Sequence, residues 1–381
     1  MNSYNTKKVF ITACIGMCFF GISMLALGSV LPALTLKLGL NNLEATGLVT
    51  FLPLGLLGGS LLFGPIVDRF GYKTLLLLSC MIVLLGIEGI ILFENISMLQ
   101  LSIVGIGLGG GVLNGETNAL VADISDEKEK GARISLLGAF YGIGALGIPT
   151  LLSALSRYYS FETILQAIGV IMLIGVIFCS TIAFPPPKQP QGFPIKKGLK
   201  LLKESSLIIL SLILFFQSGI EGVCNNWTAL YLGQVTNISS GQALITLTCM
   251  VAGLTATRLL LVVLFKRLKM GSVLLFSLIV AAVGFGLLSF SPGFLRAAIA
   301  MVLIGVGLAS TFPVIFSIIG SKYASLSGTA FSIALVIALI GQTLLNSLTG
   351  IISQQYGIGV YPLMMIAAIA IMLLLFKSSL K

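Results

Sequence analysis

The residues of this chain predict an all-α membrane protein with twelve spanning helices, arranged as two pseudo-symmetric bundles of six. Three observations predict it. Of 381 residues, 57% are hydrophobic and only 9% are charged, against about 25% charged in soluble domains. Apolar runs of about 20 residues, enough to cross hydrocarbon, recur along the whole chain. Motifs of the first half return in the second half at nearly one offset. The runs lack the short alternating segments of a β-barrel.

The runs fall at roughly 9–36, 45–67, 73–93, 98–122, 134–155, 163–184, 206–232, 241–264, 271–290, 294–320, 327–348 and 356–376. The first continues to Leu36 without a small-residue cleavage site, so it reads as a retained helix and not a signal peptide. With the N-terminus inside, the 22 basic residues sort by side. Lys37, Arg157 and Arg296 fall outside, Arg258 lies within the eighth run, and the remainder fall inside. This bias predicts that both termini are cytoplasmic, in a plasma membrane expected to be a bacterial inner membrane. The net charge of +10 therefore orients the chain in a lipid bilayer, and nucleic acid is not an expected partner.

The longest polar stretch is 185–205, PPPKQPQGFPIKKGLKLLKES. Its proline and lysine content suits a cytoplasmic linker. It divides an N-terminal six-helix bundle (1–184) from a C-terminal one (206–381). The fourth run reads VGIGLGGG at Val104–Gly111, and the tenth reads IGVGLAST at Ile304–Thr311. DRFGYKTLLLLSCMIVLLG begins at Asp68, and KRLKMGSVLLFSLIVAAVG begins at Lys266. FFG at Phe19 pairs with FFQ at Phe215. Matches in one register indicate a parallel repeat of six helices.

The six cysteines (Cys14, Cys18, Cys80, Cys179, Cys224, Cys249) lie inside apolar runs, with no CxxC pair, and histidine is absent. Disulfides, metal sites and cofactors are therefore not expected, and histidine acid/base chemistry is excluded. An embedded enzyme would need metal ligands or a nucleophile with its base, so none is expected. A channel should show rings of charge, and none appears. A receptor built on a carrier scaffold stays open; counterflow in liposomes separates the two.

The informative residues are polar groups at bilayer depth. Glu116 in the fourth run and Glu221 in the seventh each cost about 2.5–3.5 kcal/mol on insertion scales, so both are candidates for proton coupling. Both are expected to face a shared aqueous pocket. Asn114 and Asn118 share one face of the fourth run, and Glu116 lies on another. Gln217, Glu221 and Asn225, continued by Thr228, fall at i, i+4 and i+8 on one helical face. Their donors and acceptors suit a hydroxyl-rich solute; interhelical hydrogen bonding is the plainer use of such groups. Asn226 is a further candidate beside them. Trp227 either stacks on the apolar face of a sugar ring or anchors at the outer interface. Gln342 and Asn346 share a face of the eleventh run, and Tyr141 is a candidate in the fifth.

Arg258 reads as a residue that snorkels or braces the region of the eighth and ninth runs, and we assign it to gating. Glu88 is expected near the outer end of the third run. Asp123, beside the charged loop Asp126 to Arg133, is expected to be solvated. The glycines between Gly105 and Gly115 suit tight helix packing, in a helix that also slides or tilts. No strand–turn–helix context surrounds them, so they are not a nucleotide fingerprint. Asn95-Ile96-Ser97 and Asn237-Ile238-Ser239 match the glycosylation pattern, which carries no meaning in a bacterial cell.

Gly64, Asp68, Arg69, Gly71 and Lys73, in GPIVDRFGYK, resemble the signature between the second and third helices of the major facilitator superfamily. The 6+6 repeat and the long central loop agree with that resemblance, which covers essentially the whole chain. It implies that Asp68 caps the N-terminus of a helix near the eleventh span, where the helix dipole favours a carboxylate. These five residues are then assigned to gating. A narrower resemblance is to the fucose permease type of sugar/proton symporters. Three passages carry it: GIGLGGGVLNGETNALVAD, FQSGIEGVCNNWTALYL and GVGLASTFPVIFSI. Glu116 stands where that family has its embedded glutamate. The family's acid on the first helix has no counterpart at Leu25–Ser29, which leaves Glu116 as the stronger coupling candidate. The resemblance implies a secondary active transporter, a monomer that takes up a sugar or similar polar solute with protons by alternating access. Efflux of a drug or metabolite is the alternative.

Overall fold

The computed structural model describes residues 4–189, 195–236, 238–290 and 293–379. Among them lie helices α1 (Thr6–Leu38), α2 (Asn42–Phe70), α3 (Tyr72–Leu92), α4 (Ile96–Asp123), α5 (Lys130–Leu155), α6 (Phe161–Ser180), α7 (Ile195–Leu201), α8 (Ser205–Val235), α9 (Ser240–Arg267), α10 (Met270–Ser289), α11 (Phe294–Leu308), α12 (Thr311–Lys322), α13 (Ser327–Tyr356) and α14 (Tyr361–Ser379). Twelve spans are long and apolar enough to cross a membrane, and the described residues contain no strand. The first six runs are α1–α6, and the seventh to ninth are α8–α10. The short α7 belongs to the linker, whose residues 190–194 lie outside the described residues, as does Asn237.

Local chemistry sets the helix ends. The Asn5, Asn95 and Ser160 side chains accept from backbone N–H groups at the starts of α1, α4 and α6. Asn41 with Glu44, and Ser239 with Gln242, form reciprocal capping boxes on α2 and α9. Gly71 joins α2 to α3 with φ +81°, a conformation that side chains other than glycine rarely adopt.

The tenth run departs from the expected single helix. It divides into α11 and α12, with Ala309 and Ser310 between them. Pro313 has no N–H to offer the Ala309 carbonyl, so the helical ladder loses a bond at this point. Pro32, Pro53, Pro65 and Pro149 sit inside helices that remain continuous.

The chain forms two compact units. The first holds Met1–Ile124, Phe140–Ile195 and Tyr323–Ser332; the second holds Ser125–Ala139, Lys196–Lys322 and Ile333–Lys381. The start of α5 thus groups with the C-terminal helices, and the start of α13 with the N-terminal ones.

In the first unit α4 packs against α1, α2 and α3. Glycines let two backbones touch. A Cβ on Gly55 would lie 2.2 Å from the Val104 carbonyl oxygen, and one on Gly107 2.3 Å from the Leu52 oxygen. Gly59 and Gly111 meet α4 and α2 in the same way one turn on. The packing reading of the helix 4 glycines is therefore what the contacts show. In the second unit α11 repeats the arrangement against α9 and α10, where a Cβ on Gly305 would lie 2.1 Å from the Met250 oxygen. Leu54, Leu61, Leu85, Ile171, Phe276 and Leu374 are exposed, as lipid-facing residues of a membrane protein are.

Candidate functional site

Polar groups gather in three places, two in the first unit and one in the second. On α4, Glu116 is fully buried, and neither carboxyl oxygen has a hydrogen-bond partner among the described residues. The Cys80 thiol is its electrostatic neighbour. Glu116 is enclosed by protein in this conformation, where an aqueous pocket was expected. Asn118, also buried, donates to the Asn114 carbonyl oxygen at 2.8 Å. Tyr141 is half-buried, its ring 5.2 Å from Phe20.

At the end of α2 lies a carboxylate cap on α13. Asp68 is 1% exposed. Its carboxylate accepts from the Gly328 N–H (3.2 Å), the Thr329 N–H (2.9 Å) and the Thr329 hydroxyl (2.6 Å). These donors form the first turn of α13, whose unsatisfied N–H groups and dipole attract an anion. Gly64 admits this approach, since a Cβ there would lie 2.6 Å from the Gly328 oxygen. One turn further, the Ser332 hydroxyl donates to the Ser60 carbonyl oxygen at 2.5 Å. Arg69 is exposed, with its guanidinium 4.9 Å above the Phe70 ring. Pro187 packs beside Gly71, and Lys73 is half-buried.

A cation beside this cap comes from the linker. Lys188 Nζ donates to Asp123 (2.6 Å), to the Ser327 hydroxyl (2.6 Å) and to the Ala324 oxygen (2.5 Å). Gln189 N–H donates to the Asp68 carbonyl oxygen at 2.9 Å. Asp123 also accepts from Tyr72 and Ser327. It is therefore ion-paired and only 9% exposed as a side chain, which corrects its expected solvated role. The loop charge is not spent on water because the linker doubles back over it.

The second unit holds the polar stripe. Gln217 is fully buried, and its amide nitrogen donates to Glu221 Oε1 (2.7 Å) and to the Leu308 oxygen (3.0 Å). Leu308 ends α11, so the helix break supplies the free carbonyl. Gln217 Oε1 and the hydroxyls of Ser310 and Thr311 are buried without a hydrogen-bond partner among the described residues. Broken helices whose freed backbone groups meet polar side chains are a recurrent construction of transporter sites. Arg258, 7% exposed, donates to the Gly138 oxygen at 3.2 Å. Thr228 bonds the Tyr361 hydroxyl at 2.9 Å.

Towards the other end of α8, Asn226 and the Trp227 indole N–H both donate to Asn346 Oδ1, at 2.9 and 3.2 Å. The Asn346 amide donates in turn to the Gln342 oxygen. Gly222 makes room, since a Cβ there would lie 2.6 Å from Gln342. Asn226, Trp227, Leu230, Asn346 and Ser347 line a cleft of about 470 Å³. Asn225 is exposed. The sequence reading placed Gln217 and Glu221 on one helical face; it took Trp227 and Asn346 as separate candidates, and the structure brings those two together. The sequence reading missed Ser310, Thr311, Ser332, Ser135 and Lys188. The Phe-Pro pair at the tenth run was the one available signal for the break.

A sequence profile described as the Major Facilitator Superfamily matches residues 13–344. The chain belongs to that superfamily, and its twelve apolar spans make it a multi-pass membrane protein. It resembles the E. coli fucose:proton symporter FucP in fold, with a TM-score of 0.81, 18% identity, and coverage of 97% of this chain and 98% of that one. A human facilitated glucose transporter, solute carrier family 2 member 12, is 26% identical over 192 residues, 49% of this chain and 30% of that protein. The multidrug resistance protein MdtH of Aeromonas salmonicida is 30% identical over 181 residues, 47% of this chain and 42% of that one. The chain spans less than half the length of these two relatives.

Proposed function

We propose that this chain is a secondary active transporter that takes up a sugar or similar polyol with protons, by alternating access of its six-helix halves, 1–184 and 206–381. The observation that carries the reading is the carboxyl of Glu116, buried with no hydrogen-bond partner among the described residues. An acid enclosed in one state and reached by water in the other loads and releases a proton as access alternates. Glu221 is the second candidate for that task. Gln217, Asn225, Asn226, Gln342 and Asn346 supply neutral donors and acceptors for hydroxyl groups, with Trp227 as an apolar platform. The printed names of a fucose:proton symporter and a glucose transporter support the solute class. Likeness to a multidrug resistance protein keeps proton-driven efflux as the second reading. The excess of Lys and Arg in alternate loops supports cytoplasmic termini in a bacterial inner membrane. Asp68, with Arg69, Gly71 and Lys73 around it, serves the inner gate, and the working unit is one chain.

The test is a proteoliposome experiment with a panel of sugars. An inward proton gradient should drive accumulation, and Glu116→Gln should abolish it while counterflow of the same solute persists. Accumulation by the variant equal to that of the parent protein removes Glu116 from coupling. Solute expelled with the gradient reversed selects efflux.

A further inference from the structure

Three side-chain oxygens of the second unit are fully enclosed and unused. Gln217 Oε1 and the hydroxyls of Ser310 and Thr311 have no hydrogen-bond partner among the described residues, and all three residues are 0% exposed. A buried polar atom left without a partner costs about 1–3 kcal/mol. Three of them around one helix break call for an occupant that satisfies them, a water or an ion.

The Gln217 amide shows which kind. Its nitrogen stands between two acceptors, Glu221 Oε1 at 2.7 Å and the Leu308 carbonyl oxygen at 3.0 Å. An N–H₂ group held between a carboxylate and a carbonyl fills the place of a cation. A half-turn about the last side-chain torsion, a soft rotation in glutamine, exchanges that nitrogen for the unused Oε1. Three acceptors then face one point, and a cation between them holds the arrangement together. Ser310 and Thr311 follow Leu308 by two and three positions, so the break itself carries two further unused oxygens.

We propose that Gln217, Glu221 and the Leu308 carbonyl, with the hydroxyls of Ser310 and Thr311, form a sodium-ion site at the break between α11 and α12. Every ligand is an oxygen, which suits a hard cation and not a transition metal. Among the described residues no three histidine, cysteine or acidic side chains gather to hold one. A single carboxylate among neutral oxygens also falls short of the acids that calcium sites collect. Freed carbonyls at broken helices coordinate sodium in other transporter folds. Glu221 is half-buried and Asn225, one turn on, is exposed, so the polar stripe of α8 gives the ion a way in. The Gln217 amide turns as sodium arrives, and its nitrogen bridges Glu221 and Leu308 again when the ion leaves. The inference stands apart from the sugar reading: it gives Glu221 an ion to hold and leaves the proton to Glu116.

Binding of radiolabelled sodium to the full chain in nanodiscs tests this with no solute present. At an ionic strength held constant with choline chloride, one ion per chain should bind, and unlabelled sodium should displace it while potassium does not. Glu221→Gln and Gln217→Ala should each weaken binding at least about tenfold. Ser310→Ala and Thr311→Val delete one unused oxygen each and break no hydrogen bond, so they serve if the first two variants do not fold. Each should weaken binding about threefold or more, the share of one neutral oxygen. Glu88→Gln, which removes an acid outside this set, is the control and should bind sodium as the parent does. No bound sodium, equal displacement by potassium, or parental affinity in the four site variants overturns the proposal and leaves water as the occupant of the break. A chain that binds sodium and carries no sugar keeps this site and loses the proposed solute; one that carries sugar with protons and binds no sodium does the reverse.

Discussion

Replacing Asp68 by asparagine separates the charge of the α13 cap from its shape. The carboxylate accepts three hydrogen bonds, two through Oδ2 from Thr329 and one through Oδ1 from Gly328 N–H. An asparagine keeps one acceptor oxygen. With that oxygen facing Thr329, its amide N–H₂ opposes the Gly328 N–H, so one bond is lost and two donors meet. A hydrogen bond to a charged acceptor is worth about 1.5–3 kcal/mol. The interaction of an anion with a partly buried helix N-terminus adds about 0.3–2 kcal/mol. The loss is then about 2–5 kcal/mol, and at about 1.4 kcal/mol per factor of ten the α13 start should open between about one and about four orders of magnitude more often. Amide exchange of residues 326–334 reads that opening directly, because two of the amides are the donors concerned. Exchange at the start of α5 is the internal control. An increase below about threefold would mean that the cap contributes less than an ordinary neutral hydrogen bond, and the account of the cap would fail.

The remaining expectations concern the residues around this cap and the stripe. Lys188→Met should weaken the linker's hold on Asp123 and Ser327 by about 1–2 kcal/mol, discounted for its partial exposure, so proteinase K should cut the linker faster in inside-out vesicles than in a Lys196→Met control. Asn346→Ala removes the oxygen that both Asn226 and Trp227 contact, and because Trp227 is the single tryptophan, its emission should shift; an unchanged spectrum would show that the indole is held by other groups. Hydrogen bonds from Lys130 and then Ser321 hold Glu127 below the ordinary glutamate range. Its contribution is full above that range and fades as pH falls through the lowered value. Between neutral pH and about pH 4, the parent protein should therefore lose more thermal midpoint than Glu127→Gln, and equal losses would remove the bridge from the stability of the α5 start.

Much of the fold was legible in the residues because lipid leaves few options. A span must satisfy its own backbone, so length and hydropathy locate every helix. Helical periodicity brought Gln217 to Glu221, and the glycines of the fourth run announced close packing. The break between Leu308 and Thr311 was not legible, because internal prolines at Pro32 or Pro149 leave their helices whole. Only tertiary partners such as Gln217 decide which interruption is stabilised. Lys188, Ser135 and Ser332 were missed for a related reason. Each acts on a residue more than a hundred positions away in the chain, and nothing local distinguishes them from their neighbours. Asp123 looked solvated because the linker that neutralises it is remote in sequence.

The bare-backbone seam between α2 and α4 has a mechanical consequence. Where two main chains lie against each other with no side chains between them, no soft layer exists to absorb sliding or tilt. The pair behaves as one stiff rod. That rod bears an ionisable acid, Glu116, on one member and the cap of a distant helix, Asp68, on the other. Under the proposed function a displacement at the acid is carried towards the cap, because no methyl groups stand between the two main chains at Gly55, Gly59, Gly107 and Gly111.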